Sequence, residues 1–344
     1  MTEESAPYGS PRIAAVLGCG AVGKRHTHNL NRLGYAVRTW DLDPARCTVP
    51  TLKEALDGAT LAVIATPPAS HIALANEAIK LGVPWVLIEK PLALSLRDAE
   101  TLLRDDGVFV GYCLRFALAT QVLPDAIKRI APVRLVEAVY SERVDTRGSW
   151  LADCGVVLEY SHVLDLLLSL FGWLDMVEAL VDNDPEATCV AALAWGDIFG
   201  TLRMDFHSPT ETRLKIIGDG GVVEWRRDRI SGPGCDETVV ENPAAWLLHE
   251  AQELHSVIKG AIPSPGRLCT VRDAIAEAAA KFGCTVALYK HGSWFGEPEN
   301  QLAVIDKLQL PNVGLVYNLH HGHDHLDRFP KLLARMKPHL WVVN

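Results

Sequence analysis

The chain has 344 residues, 33 Lys and Arg against 42 Asp and Glu, a formal net charge of -9 and 49% hydrophobic residues. That length supports more than one core, so two domains are expected, and the acidic balance disfavours a nucleic-acid surface. No uncharged apolar run reaches the roughly 18 residues of a membrane span. The start carries Glu3 and Glu4 with no apolar stretch suited to export, and the eight cysteines form no CxxC pair. Both point to a cytoplasmic chain with reduced thiols.

Residues 13–23, IAAVLGCGAVG, read as a buried strand over 13–18 opening into a GxGxxG turn and a helix over 22–33. That order suits a dinucleotide: the strand leads into a tight turn, and the helix points free N–H groups at a pyrophosphate. Gly18 allows the turn, Gly20 lets the phosphates approach and Gly23 lets helix and strand pack closely; Cys19, Ala21 and Val22 supply the backbone between them. A second strand, 35–40, ends at Asp41, where a carboxylate can accept hydrogen bonds from ribose hydroxyls. It would repel a 2′-phosphate, so NAD(H) is favoured over NADP(H), with Arg38 and Arg46 as the flanking groups that would relax the preference.

Helix 52–57, strand 60–65, helix 70–81, strand 84–88, helix 95–104 and strand 108–111 continue the alternation, which predicts a mostly parallel sheet covered by helices on both faces. Thr66-Pro67-Pro68 follows the third strand, with His71 beyond it, and Glu89-Lys90-Pro91 follows the fourth. Residues just past strand C-termini line the ligand crevice of such a sheet. Thr66, Pro67, His71 and Glu89 are therefore cofactor-site candidates, and Lys90 is a candidate to polarise a substrate oxygen.

From 118 onward the pattern changes. Strands at 133–141, 176–182, 187–195, 198–206, 212–217 and 221–226, with helices near 119–130, 155–170, 244–258 and 271–282, predict an α+β domain with an open, mostly antiparallel sheet. In the apolar helix 155–170, Glu159, His162 and Asp165 recur at intervals of three and are expected on roughly one face. A histidine beside a carboxylate can exchange a proton near neutral pH; the same groups, fully paired, would instead make a structural cluster. Arg115 is open to either use, holding a substrate oxygen or forming a salt bridge.

The GCGAVG turn with Arg25-His26, TPPxxH at 66–71, Glu89-Lys90-Pro91, Tyr112 with Arg115-Phe116, and the GxxLExSHxxD-like run at 155–165 together resemble the Gfo/Idh/MocA oxidoreductases over residues 11–283. The resemblance implies an α/β Rossmann domain over 1–117 and a substrate-binding, dimerising α+β domain over 118–283 whose last helix packs back on the first. It implies hydride transfer between a nicotinamide and a secondary alcohol of a sugar or cyclitol, in a homodimer or homotetramer joined through the second sheet. Lys90 then corresponds to the substrate-contacting lysine and His162 to the proton-transferring histidine, with Arg115 and Asp165 as further substrate candidates. Glu159 stands near the family's usual aspartate, one residue closer to the histidine and one methylene longer, with the role of supporting the imidazolium.

The remaining elements, strand 285–289, helix 299–309, strand 313–317, helix 326–336 and strand 340–343, restart a βα order over 284–344. On ALYKHG at 287–292, EPENQ at 297–301 and VYNLHHGH at 316–323, this tail resembles the middle of sugar-phosphate isomerase/epimerase barrels of the xylose-isomerase-like type. Tyr289 and Asn318 stand where those barrels offer metal ligands. No metal site is therefore expected, His291, His321 and His323 being the weak candidates, and the tail reads as a structural or partner-binding appendage. The sequence leaves two alternatives to the dehydrogenase: a non-catalytic nucleotide-binding sensor or scaffold, and a metal-dependent sugar isomerase acting through the tail.

Overall fold

The computed structural model describes residues 12–102, 107–144, 151–172, 174–182, 187–227, 229–235, 244–275, 286–289, 298–308, 313–317, 328–338 and 340–343. The first sheet is built by β1 (Ile13–Leu17), α1 (Ala21–Arg32), β2 (Ala36–Trp40), α2 (Leu52–Leu56), β3 (Leu61–Ile64), α3 (His71–Lys80), β4 (Trp85–Glu89), α4 (Leu96–Ala99) and β5 (Val108–Gly111). Its parallel strands run in the order β5-β4-β3-β1-β2. β3 and β5 are buried at every residue, the continuous apolar run of a strand covered on both faces. Leu17 pairs with Trp40 and with Ile64, and Ile64 pairs with Ile88. The strands therefore end level, and Gly18, Asp41, Thr66 and Lys90 emerge along one edge. The helix expected over 95–104 is shorter: α4 starts where the Ser95 hydroxyl accepts from the Asp98 amide, and passes into a 3-10 turn at Glu100–Leu102.

The second sheet follows α5 (Leu118–Ile130) and comprises β6 (Val133–Ser141), then, after α6 (Leu151–Glu159) and α7 (Ser161–Phe171), β7 (Met176–Val181), β8 (Thr188–Trp195), β9 (Ile198–Asp205), β10 (Glu211–Gly218), β11 (Gly221–Arg226) and β12 (Arg229–Ser231). Its order is β12-β11-β10-β6-β9-β8-β7. All neighbours are antiparallel except β6 and β9, because β6 leaves through the α6–α7 crossover and the chain returns in the same direction. The single helix expected over 155–170 is two helices meeting at Tyr160 (φ -98°, ψ 19°), with Gly155 at φ 70° inside the first. One sheet face packs on α5–α7; the other leaves Leu180 81% and Phe199 59% exposed.

The chain then returns to the first sheet. On α8 (Ala244–Ile258), Leu254 and Val257 join Ala14, Val16 and Leu30 in one core, and His255 Nδ1 lies 3.1 Å from the Tyr35 hydroxyl. β13 (Cys269–Thr270) pairs antiparallel with the open edge of β5, a need of edge strands that a sequence does not advertise. The tail carries β14 (Val286–Tyr289), β15 (Val313–Tyr317) and β16 (Leu340–Val343) as a parallel three-stranded sheet with helices Pro298–Leu308 and Phe329–Met336 between them, close to the expected spans. No helix among the described residues is long and apolar enough to cross a membrane.

Candidate functional site

The glycine turn has the geometry that its sequence predicts. Gly18 sits at φ +89°, where a Cβ would lie 2.6 Å from the Ala65 carbonyl oxygen, and a Cβ at Gly23 would lie 1.9 Å from that of Gly18. In front of Gly20 there is open space, and no side chain caps the N-terminus of α1. The unpartnered N–H groups opened by Ala21 and Val22 fit an anion such as a pyrophosphate.

Asp41 is clamped rather than loose. Its carboxylate accepts from the Cys19 amide at 2.7 Å and the Asp43 amide at 2.9 Å. Burial alone would raise this carboxyl, but those amides and nearby Arg46 outweigh it and hold the pKa below the ordinary value. Cys47 grips the backbone of the same residue: its sulfur accepts from the Asp41 amide at 3.1 Å and lies 3.2 Å from the Asp41 carbonyl, a contact that no motif announces. Arg38 is spent on the carbonyls of Glu54 and Asp57, at 2.9 and 2.6 Å, and Arg46 pairs with Asp43 at 3.0 Å.

At the other end of the crevice, buried His71 spans two loops, with Nδ1 2.9 Å from the Pro91 carbonyl and Nε2 2.7 Å from that of Thr66. Burial lowers its pKa, against the pull of those carbonyls and Glu89. The loop after β3, with Pro67, is thus tied to the loop after β4, which carries Lys90. Glu89 lies 2.6 Å from His26 Nε2; burial would raise its carboxyl, but His26 and then Lys90 bring it below the usual range.

Lys90 reaches the second sheet's domain. Its Nζ lies 2.6 Å from Glu159 Oε1 and donates to the Glu159 carbonyl at 2.9 Å, both side chains being mostly buried. The helix break makes this possible. In a continuous helix the Val163 amide would bond to the Glu159 carbonyl, but here it bonds to Tyr160 at 3.0 Å, while the Ser161 hydroxyl takes the Leu158 carbonyl at 2.8 Å. The freed Glu159 carbonyl accepts from the lysine instead.

The expectation that Glu159 shares one helical face with His162 and Asp165 is corrected by the same break, which leaves only the latter two three apart on one helix, α7. Glu159 ends α6 and pairs with Lys90, not with His162. Fully buried Asp165 turns to Arg115, whose Nε lies 2.8 Å from both carboxylate oxygens and whose Nη2 bonds to Oδ1. That bidentate pair ties the 3-10 turn Cys113–Phe116 after β5 to α7, so the two residues expected as substrate contacts engage each other. His162 Nε2 and Glu159 Oε2 are buried with no hydrogen-bond partner among the described residues. Burial and the Lys90 charge push the His162 pKa well below its ordinary value, leaving a neutral imidazole with an open lone pair or N–H.

Sequence reasoning passed over two residues here. Tyr140, on β6, packs its ring 4.9 Å from that of His162, edge to face. Glu250, on α8, is fully buried with neither oxygen hydrogen-bonded among the described residues. The weak metal candidates His291, His321 and His323 lie outside the described residues.

Residues 13–105 match a family model described as an oxidoreductase family with an NAD-binding Rossmann fold, GFO_IDH_MocA. The chain is 27% identical over 180 residues to the oxidoreductase YceM of Salmonella typhimurium, covering 48% of this chain and 57% of that protein, so it spans a little over half of that relative's length. It is 24% identical over 262 residues to the myo-inositol dehydrogenase Hyg17 of Streptomyces leeuwenhoekii, covering 64% of this chain and 78% of that one. The solved structure of the WlbA dehydrogenase from Bordetella pertussis, in complex with NADH and UDP-GlcNAcA, superposes with a TM-score of 0.68 at 22% identity over 79% of this chain and 94% of its own. The tail's likeness to isomerase barrels finds no support in the family match or in these two curated relatives. Residues 13–105 thus match the NAD-binding Rossmann domain of the Gfo/Idh/MocA oxidoreductases in sequence, and the parallel sheet β1–β5 with its glycine turn has the fold of such a domain.

Proposed function

We propose that the chain is an NAD-dependent dehydrogenase that interconverts a secondary alcohol and a ketone on a sugar, sugar derivative or cyclitol. The observation that carries this reading is the meeting of Lys90, held by Glu159, with a buried neutral His162 whose Nε2 has no partner among the described residues. A cation able to donate and a base able to accept a proton are what an alcohol needs at the carbon that loses hydride.

Gly18–Gly23 and the start of α1 would hold the pyrophosphate, Asp41 the adenosine ribose, and Thr66, Pro67 and the Glu89 backbone the far end of the nucleotide. When bound, the nicotinamide supplies the acceptor or donor of hydride. Lys90 donates to the substrate oxygen and lowers the energy of its developing charge. His162 takes the hydroxyl proton at Nε2, and its depressed pKa makes it release that proton readily to water. Glu159 fixes the ammonium, and His71 fixes the loop that carries it.

The relatives named for myo-inositol and for a UDP-sugar acid complex support a polyhydroxylated substrate. The clamped Asp41 supports NAD(H) over NADP(H). The apolar residues exposed on the second sheet, among them Leu180 and Phe199, support a homodimer or homotetramer joined through that face; the proposal includes a cytoplasmic location and domain divisions near 117 and 283. The test is fluorescence titration with NADH and NADPH, then turnover across a panel of polyols and keto-sugars, with Lys90→Ala and His162→Ala as controls. Expected are tighter NADH than NADPH binding and a loss of kcat/KM on the order of a thousandfold in either variant. NADH binding with no turnover anywhere in the panel would refute the dehydrogenase and leave the nucleotide-binding sensor.

A further inference from the structure

On β6, Val136 and Ala138 point into the core between the second sheet and its helices, and Tyr140 is the next residue on that face. It stands one residue before the strand ends, level with the α6–α7 break. Its ring lies 4.6 Å from Tyr160, which meets Phe206 edge to face at 5.1 Å, and 4.9 Å from His162. These rings confine the imidazole. Packing alone would be served as well by phenylalanine, and the two preceding positions on this face are apolar.

The Tyr140 hydroxyl makes no hydrogen bond with the described residues. Cys113, Glu142, Arg227 and Glu159 are the charged or titratable groups around it, and burial together with the anionic ones drives its pKa upward. The phenol therefore stays protonated and offers a donor. A phenol hydroxyl without a partner beside His162 forgoes hydrogen-bond energy that a ligand oxygen can restore. Lys90 and His162 are both engaged by the hydroxyl that reacts, so the Tyr140 donor is left for a different oxygen.

We propose that Tyr140 is a specificity-determining residue: its ring holds His162 in place, and its hydroxyl donates a hydrogen bond to a second oxygen of a polyhydroxylated substrate, beside the one that is oxidised. This rests on the dehydrogenase reading and adds to it the recognition of a neighbouring hydroxyl. The pairing is chemically selective, because a site built to donate to a hydroxyl loses that bond with a deoxy analogue.

The experiment compares the full-length wild type, Tyr140→Phe and Tyr140→Leu on a polyol that the wild type turns over and on its deoxy analogues at each carbon flanking the reacting one. Tyr140→Phe should raise KM for the polyol about tenfold, leave kcat and NADH affinity unchanged, and have no effect on one of the deoxy analogues. Tyr140→Leu should in addition move the acid limb of the kcat/KM profile, because His162 loses its ring contact. A Tyr140→Phe variant indistinguishable from wild type on the polyol would overturn the inference while the dehydrogenase stands. A wild type that turns over no polyol would end the dehydrogenase reading, and this inference with it.

Discussion

Replacing Glu250 with Gln should stabilise the protein, and by an amount that grows with pH. Glu250 has no exposed surface, and neither oxygen has a hydrogen-bond partner among the described residues. Burial, then the neighbouring Glu89 and Asp165, drive its pKa well above 4.5, with Arg115 opposing. In the unfolded chain the carboxyl loses its proton near that ordinary value, whereas the folded chain keeps it. A raised folded pKa makes the contribution to stability complete below pH 4.5 and progressively lost as pH rises toward the folded value. Each pH unit in that window removes about 1.4 kcal/mol.

Glutamine preserves the shape and carries no titrating proton. The stability difference between Glu250→Gln and wild type should therefore increase by about 2 kcal/mol between pH 4.5 and pH 6. Any offset from burying an amide in place of a carboxyl is independent of pH and leaves that slope unchanged. Urea unfolding followed by tryptophan fluorescence, at half-unit steps from pH 4.5 to 6.5, measures it. Parallel stability curves for the two proteins would show that the folded carboxyl ionises normally, and the reasoning from burial would fail.

Asp41→Ala removes the acceptor of two backbone amides and the expected ribose ligand; NADH affinity should fall at least tenfold and discrimination against NADPH shrink, as read by fluorescence titration. For the wild-type enzyme, the depressed pKa of His162 keeps the base neutral at pH 7, so kcat/KM should hold level down to pH 6.5 and decline only in more acid buffer; an acid limb centred above pH 6.5 would remove His162 from the role of base. Arg115→Ala leaves Asp165 buried without its guanidinium and should cost about 3–5 kcal/mol in unfolding free energy, whereas a loss below 1 kcal/mol would mean that the pair is not needed.

The first sheet was legible because its information is local. Apolar runs such as Leu61–Ile64 mark strands buried on both faces, and the spacing of Gly18, Gly20 and Gly23 marks the turn between β1 and α1. The second sheet was legible as strands but not as pairings: the parallel match of β6 with β9 joins residues some sixty positions apart, as in Val136 with Gly200. The break at Tyr160 was only half visible. Gly155 sits inside a helical pattern as a warning, but Tyr160 packs on Tyr140 from β6 and Phe206 from just past β9, which are distant in sequence. Glu250 carries no motif of its own; only its burial near Glu89 and Asp165 makes it unusual.

The same break bears on why a glutamate three residues before the histidine can occupy this site at all. Along an unbroken helix, Glu159 and His162 would lie on one face, and the carboxylate would be placed to support the imidazolium. With α6 ending at Glu159 and α7 beginning at Ser161, helical spacing no longer relates the two residues. The carboxylate and its own carbonyl are then free to hold the Lys90 ammonium from two directions. A side chain longer than aspartate is suited to reaching a lysine carried by the other domain. Under the proposed mechanism the β4 edge would deliver the cation and the α6–α7 junction its anchor and the base, while the Arg115–Asp165 pair ties the turn after β5 to α7. The alignment of Lys90 with His162 would then depend on that tie, so a change that loosens it should weaken the chemistry even where Lys90 and His162 are intact.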